Sequence, residues 1–337
     1  MKRLFIVCIA IIAGFSASGA ASAGVCNVDG EALASSEHKR EVRREFAAGS
    51  SALLSIKNEF GNIRILEGVD DRITFKITVT GKGKNSEEAK KYAETVDIDF
   101  THKGNDIAAK TVFEKINCNN CGRSVDYEVS VPKNTRLTLE NQFGDIKMND
   151  TAEPLKVKLQ FGKLYANEIA DAELSIQHGG ATVNKCKRME LESSFSKYKF
   201  GEVEALSGSI SHGGIDMEEL GRGDLKSDFS HLSIGKLKNS LNVDKISYGS
   251  LKITGVDDHF STIKVEASFS KVQVAFTKNH NFKATLYTSF GSVKTGDVVF
   301  YEKTLDKKEV VVGTAGRLKD PSATVSISNS HGSIVLQ

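Results

Sequence analysis

The chain has 337 residues, with 45 Lys and Arg against 43 Asp and Glu and a formal net charge of +2. So even a balance makes no global case for a nucleic-acid partner. The absence of Trp, only 3 Pro and an ordinary 26% of charged residues fit regular strands and argue against disorder.

In chain order, Lys2 and Arg3 precede an apolar run from Leu4 to Phe15, and Ala21-Ser22-Ala23 follows. This pattern predicts a secretory signal peptide over residues 1–23 and a mature chain from about Gly24. Val25 directly before Cys26 disfavours lipid attachment, which wants a small residue there. No later run is long or apolar enough to span a membrane.

Residues 24–140 read as an N-terminal capping region. Ala52, Leu54 and Ile56 alternate up to Phe60-Gly61, with Ile63 and Ile65 after it, which makes one isolated coil. A strand over 73–79 follows, then a helix with Asn85 as N-cap and Glu88 as its capping-box partner. Ala89, Tyr92, Ala93 and Val96 form its apolar stripe. Further strands are expected over 96–100, 107–113 and 126–131, ended by Pro132. Cys118 and Cys121 fall in a polar loop between two of these strands. In an exported chain they are expected to form a small disulfide at a hairpin tip. Cys26 and Cys186 are singletons, so neither completes a zinc set.

Residues 141–337 carry a repeat. An aromatic residue or histidine followed by Gly or Ser marks each unit: Phe143, Phe161, His178, Phe195, His212, Phe229, Tyr248, Phe269 and Phe290, with outliers at Phe60 and His331. A fixed period this short predicts a solenoid. Before each mark the apolar residues alternate, as in Leu155, Val157 and Leu159. After it they fall at plus three and plus five, as in Leu164 and Ala166. Alternation means a strand with one buried face, and the broken phase means a bend at the mark. The fold class expected is therefore all-β: a parallel β-solenoid with two strands per coil of about 17–21 residues, plus one short helix in the capping region. Eleven marks predict a rod on the order of 50 Å. Stacking predicts a ladder of the marked residues, which are in phase with the buried set, so Phe161, Phe195, Phe229 and Phe269 are expected in the core.

Asn58-Glu59-Phe60-Gly61-Asn62-Ile63, then Tyr127-Glu128-Val129-Ser130-Val131-Pro132, then Leu137-Thr138-Leu139 leading into Phe143-Gly144-Asp145-Ile146 and repeated Gly-containing coils, resembles the bacterial putative-adhesin family of β-strand-repeat domains. The resemblance covers roughly residues 40–337. It implies a bacterial envelope protein and brings no catalytic motif with it.

No nucleophile–base–orienter set is visible, and Asp145, Asp216 and Asp297 are scattered across coils. Histidines alternate with Phe along the ladder, roughly 10 Å apart, too far for two of them to share a metal ion. Neither a catalytic site, a metal site nor a cofactor is expected. Arg222-Gly223-Asp224 spells a cell-attachment tripeptide, placed in a turn between coils, where turn composition alone accounts for it. The candidate binding residues are lysines at plus two and plus four after the marks: Lys147, Lys163, Lys197, Lys199, Lys252, Lys271 and Lys294. Stacking gathers them into a discontinuous basic stripe, with neighbours on adjacent coils, suited to a polyanion such as an acidic polysaccharide or to lipid head groups.

The function expected is a non-enzymatic exported envelope or surface scaffold, periplasmic or extracellular. Its partners would be acidic polysaccharide or another envelope component, and not nucleic acid. The alternative is a structural protein that self-associates end to end, because the last coil, over 326–336, has no evident cap. An enzyme acting on a polysaccharide is the third reading.

Overall fold

The computed structural model describes residues 36–337 apart from 50, 69–70 and 117–120. The expected signal peptide, Cys26 and Cys118 lie outside the described residues. Alternating apolar residues make long strands throughout, and their inward faces meet in one continuous core.

The first strands are β1 (Ser36–Ala47), β2 (Leu53–Phe60), β3 (Ile63–Glu67) and β4 (Arg72–Gly83). Helix α1 (Ser86–Glu94) follows, then β5 (Val96–Lys103), β6 (Asp106–Phe113), β7 (Gly122–Val131), β8 (Arg136–Phe143) and β9 (Ile146–Lys147). The helix start is as expected: Glu88 N–H donates to the Asn85 side chain at 2.9 Å. Its Ala89 and Ala93 are buried. They approach β4 closely, since a Cβ on Gly81 would lie 2.2 Å from the Ala89 carbonyl oxygen.

The repeat comprises β10 (Leu155–Gln160), β11 (Lys163–Gln177), β12 (Gly180–Ser194), β13 (Lys197–Ser211), β14 (Gly214–Asp228), β15 (His231–Ser247), β16 (Ser250–Ile253), β17 (Thr262–Ser268) and β18 (Ser270–Val274). Each of β11 to β14 is one 15-residue strand that bends midway and serves two sheets. Its first half follows a mark and its second half leads to the next. Neighbouring coils are parallel and in register, with Lys163 beside Gly180 and Gln177 beside Ser194. The expected two-strand coil is the one present. Arg222, Gly223 and Asp224, expected in a turn, lie inside β14, where Gly223 takes a core position between Leu206 and Leu241.

The bend itself departs from expectation. The marked residue, rather than the glycine, carries the positive φ in seven coils: Phe161, His178, Phe195, His212, Phe229, Tyr248 and Phe269 have φ between 49° and 54°. A left-handed residue rotates its side chain out of the strand's alternation, so the rings point outward. Phe161, Phe195, Phe229 and Phe269 are 49–53% exposed, not buried. Their place in the core belongs to the residues that flank the bend, such as Leu159 and Leu164.

Where the glycine does take the positive φ, at Gly61, Gly144 and Gly332, the sequence differs two residues before the mark. Asn58, Asn141 and Asn329 are buried there. Asn141 donates to the Gly61 and Gly144 carbonyls at 2.9 and 3.0 Å, tying two successive bends together.

The coils do not end in sequence order. β19 (Phe282–Lys294), β20 (Phe300–Lys307), β21 (Val310–Ala315) and β22 (Thr324–Leu336) complete the chain. β22 inserts between β17–β18 and β19, pairing parallel to both sides. The outlying His331 mark therefore lies inside the stack. β19 is the last coil, and its edge is covered by antiparallel β21 and then β20. The expectation of an uncapped C-terminal coil is thus corrected. At the other end, β2 pairs with β6, which pairs with β5, while β3 pairs with β7, β7 with β4 and β4 with β1. Phe46, Phe75 and Phe100 pack against one another there, with ring centroids 5.3–5.9 Å apart. Both ends turn from parallel to antiparallel pairing, which ends the template that an open coil edge would offer.

Candidate binding face

All eleven marks join one ladder. From the N-terminal end the order is Phe60, Phe143, Phe161, His178, Phe195, His212, Phe229, Tyr248, Phe269, His331 and Phe290, with successive centroids 4.4–5.1 Å apart and ring planes within 18° of parallel. The first ring is closed off by Phe113, edge-on at 5.6 Å, and the Arg123 guanidinium covers Phe113 at 5.0 Å. The last, Phe290, is 70% exposed.

Stacking makes the unusual backbone tolerable. A left-handed non-glycine residue costs roughly 1–2 kcal/mol, and an aromatic pair contributes about 0.5–1.5 kcal/mol. Each inner ring has two such neighbours, so the terms nearly cancel. Phe195→Ala is therefore expected to cost about 1–2 kcal/mol, well below the roughly 3–5 kcal/mol of a core phenylalanine. Phe195→Gly, which also relieves the backbone, should come out close to wild type. Urea unfolding of the three proteins checks the order.

Stacking also decides what the ladder can offer a ligand. Between the two end rings, ring faces are occupied by neighbouring rings, and only edges reach solvent. Aromatic edges carry the positive end of the ring quadrupole, so the stripe favours polar or anionic groups over the flat contact a neutral sugar makes with a ring face.

Beside the ladder run two outward rows on the post-mark sheet. The row at plus two contains Lys163, Gly180, Lys197, Gly214, His231, Ser250 and Lys271 on successive coils. The row at plus four contains Lys147, Tyr165, Thr182, Lys199, Asp216, Ser233 and Lys252. Lys294 continues it on the last coil. The seven predicted lysines are all exposed and all on this sheet, but the expectation of neighbours on adjacent coils is corrected: in neither row do two of them occupy adjacent coils. Lys163 and Lys197 are two coils apart. Lys252 and Lys271 lie on neighbouring coils in different rows.

Among the described residues none of these seven lysines makes an ion pair, although Arg64, beside Lys147 in the plus-four row, pairs with Glu128 at 3.9 Å. On the pre-mark sheet Lys57 pairs with Glu140 at 2.9 Å, Lys156 with Glu173 at 2.5 Å and Lys264 with Glu266 at 3.8 Å, while Lys158 and Lys226 stand without such a pair among the described residues. Lys147 lies over the Tyr165 ring at 5.6 Å. A shallow depression of about 370 Å³ lies between the ladder and this sheet, lined by Asp145, Phe161, Lys163, Tyr165 and His178. A larger groove of about 860 Å³ runs along the far corner, past Arg136, Asp171, Arg188, Arg222 and Asp224. Its charges compensate each other: Arg188 grips Asp171 through two bonds of 2.6 and 2.7 Å, and this hydrogen bond holds the carboxyl below its ordinary range. Cys186 is a buried free thiol, and burial pushes it up to about 12.

A family model described as Toastrack DUF4097 matches residues 52–337. The chain belongs to that family. Comparison with curated proteins found no match. Among solved structures the chain is similar to a "putative adhesin" from Bacteroides fragilis NCTC 9343, at 9% identity over 88% of this chain and 97% of that one, with a TM-score of 0.35. It is also similar to a "putative adhesin" from Parabacteroides distasonis ATCC 8503, at 12% identity over 88% and 97%, TM-score 0.35. A third is a "putative cell adhesion protein" from Clostridium sporogenes ATCC 15579, at 11% identity over 89% and 99%, TM-score 0.20. In this Toastrack chain the family match begins at the first coil, so the ladder from Phe60 onward lies within it.

Proposed function

We propose that this Toastrack protein is a non-enzymatic, exported envelope or surface protein whose ladder-side face holds an extended anionic component of the envelope. One observation carries the reading: a single sheet keeps seven exposed lysines that have no ion-pair partner among the described residues, next to a row of aromatic edges, while Lys57, Lys156 and Lys264 on the opposite sheet are paired with glutamates. Unpaired like charges on one surface repel, and a polyanion laid along them relieves that repulsion. Export rests on the predicted signal peptide over residues 1–23 and is compatible with a Cys118–Cys121 disulfide, which non-reducing peptide mapping of the secreted protein would detect.

Such binding is held mainly by exposed charges, which salt screens within about 10 Å at 0.1 M. Lys197 and Lys199 project from one strand to solvent, so reversing both to Glu should leave the melting temperature unchanged. Retention on immobilised heparin at low salt should fall at least about tenfold, and wild-type retention should itself vanish at high salt. Equal retention of the two proteins would return these lysines to a solubilising role. End-to-end assembly is the weaker reading, because antiparallel strands cover the coil edges at both ends.

A further inference from the structure

The plus-two row has an internal rhythm that a plain basic patch lacks. Coils marked by Phe161, Phe195, Phe229 and Phe269 place Lys163, Lys197, His231 and Lys271 beside the ladder. The coils between them, marked by His178, His212 and Tyr248, place Gly180, Gly214 and Ser250 there. Cationic or titratable side chains thus recur every second coil, on the order of 10 Å apart. In the intervening His178 and His212 coils no side chain screens the imidazole edge. Both rings are exposed, and neither nitrogen pair has a protein hydrogen-bond partner among the described residues. Imidazole edges donate and accept hydrogen bonds, as sugar hydroxyls do.

From the Phe161 to the His212 coil a polymer lying along this row meets two alternating environments, ammonium beside phenylalanine and imidazole beside glycine. The Phe229 coil carries His231 in place of a lysine, with its Nδ1 2.8 Å from Ser250 Oγ of the Tyr248 coil, and Lys271 restores the ammonium at the Phe269 coil. An extended chain of pyranose rings advances by about one ring per coil rise of roughly 4.8 Å. Resting on the reading above, we infer that the row binds a linear glycan in which charged and neutral sugars alternate, one carboxylate per disaccharide. The uronate sugars sit at the lysine coils and the neutral sugars at the histidine coils. A polymer charged on every sugar puts half of its carboxylates against glycine and histidine, so its extra charge gains nothing from this row.

The test uses the mature full chain and three unsulfated probes of matched length: hyaluronan oligosaccharides, with a carboxylate on alternate sugars; oligogalacturonate, with one on every sugar; and neutral dextran. In low-salt calorimetry hyaluronan should bind at least about fivefold more tightly than oligogalacturonate. Its affinity should rise with length up to about seven sugars, one for each coil from Lys163 to Lys271, and then level off. K163Q/K197Q should weaken it about tenfold. H178F/H212F, which keeps the stacking, should erase the preference for hyaluronan while the melting temperature stays within a degree or two. Tighter binding of oligogalacturonate, or an H178F/H212F protein that still prefers hyaluronan, overturns the inference while the general polyanion reading survives through heparin retention. If heparin and all three probes fail to bind, both readings fall. Binding of phosphatidylglycerol vesicles in preference to every soluble polymer would assign the face to a lipid surface and also overturn the inference.

Discussion

Gly179→Ala is expected to destabilise the protein by about 2–3 kcal/mol, the upper part of the ordinary range for a single substitution. A Cβ at this position would lie 1.9 Å from the carbonyl oxygen of Gly162 on the preceding coil. Both atoms are held by the parallel ladder, so no flexible side chain can move aside. Ser196, Ser230 and Ser270 carry a Cβ at the equivalent position of their coils, so relief at Gly179 requires the bend to shift locally against the Gly162 carbonyl. The Gly179 N–H also donates to Ser196 Oγ at 3.1 Å on the next coil, and Ser196 passes the contact to the Ser194 carbonyl at 2.8 Å. Gly213 and Ser230 repeat the arrangement at 3.0 Å. Gly104→Ala is the contrast: its φ is +59° with nothing within 4 Å of the added atom, so only the left-handed cost of roughly 1 kcal/mol applies. Chemical denaturation of both variants separates coil spacing from backbone preference. Equal losses would show that the close coil approach is not what demands glycine.

Removal of the C-terminal cap is expected to convert the protein into concentration-dependent assemblies. The β20–β21 hairpin covers β19, and β20 is exposed over nearly its whole length, with Glu302, Lys303, Asp306 and Lys307 on it and two breaks in its pairing register. Charges and irregular pairing on an edge strand block further strand addition. Deleting residues 300–315 bares the β19 edge, although it also takes Val311 and Ala315 out of the core. The gentler variant replaces the four charged residues of β20 with Thr and leaves that core in place. Both should run larger with rising concentration in light scattering. A Thr variant that stays the size of wild type would show that edge charge is not what keeps the stack finite.

The solenoid was legible because its period is written in single residues. Each mark is a large ring beside a small residue, and the alternation before it and the skipped phase after it recur coil after coil. The sign of φ at the mark was not legible. Phenylalanine so seldom adopts the left-handed region that alternation was carried through the bend, which put the rings in the core. A signal was nevertheless present: Asn58, Asn141 and Asn329 precede the three marks whose glycine takes the turn, and none of the seven left-handed marks has an Asn there; Phe290-Gly291, preceded by Thr288, has positive φ at neither residue. The insertion of β22 was beyond local reading, since parallel pairing between residues 262–274 and 324–336 leaves no mark in either strand. The seven lysines were found from their outward phase alone. Their two-coil spacing needed the register, because the turns between marks vary from 17 to 21 residues and hide which side chains become neighbours.

Lysine acetylation footprinting with and without a bound polyanion tests the central claim most directly. With heparin at low salt, mass spectrometry should show Lys163, Lys197, Lys199, Lys252 and Lys271 protected together, while Lys57, Lys156 and Lys264, paired on the opposite sheet, react as in the free protein. Protection should disappear at high salt, as screening of exposed charge requires. Protection spread evenly over both sheets, or centred on the Arg136–Arg222 groove, would contradict the assignment of the ladder-side face as the contact surface.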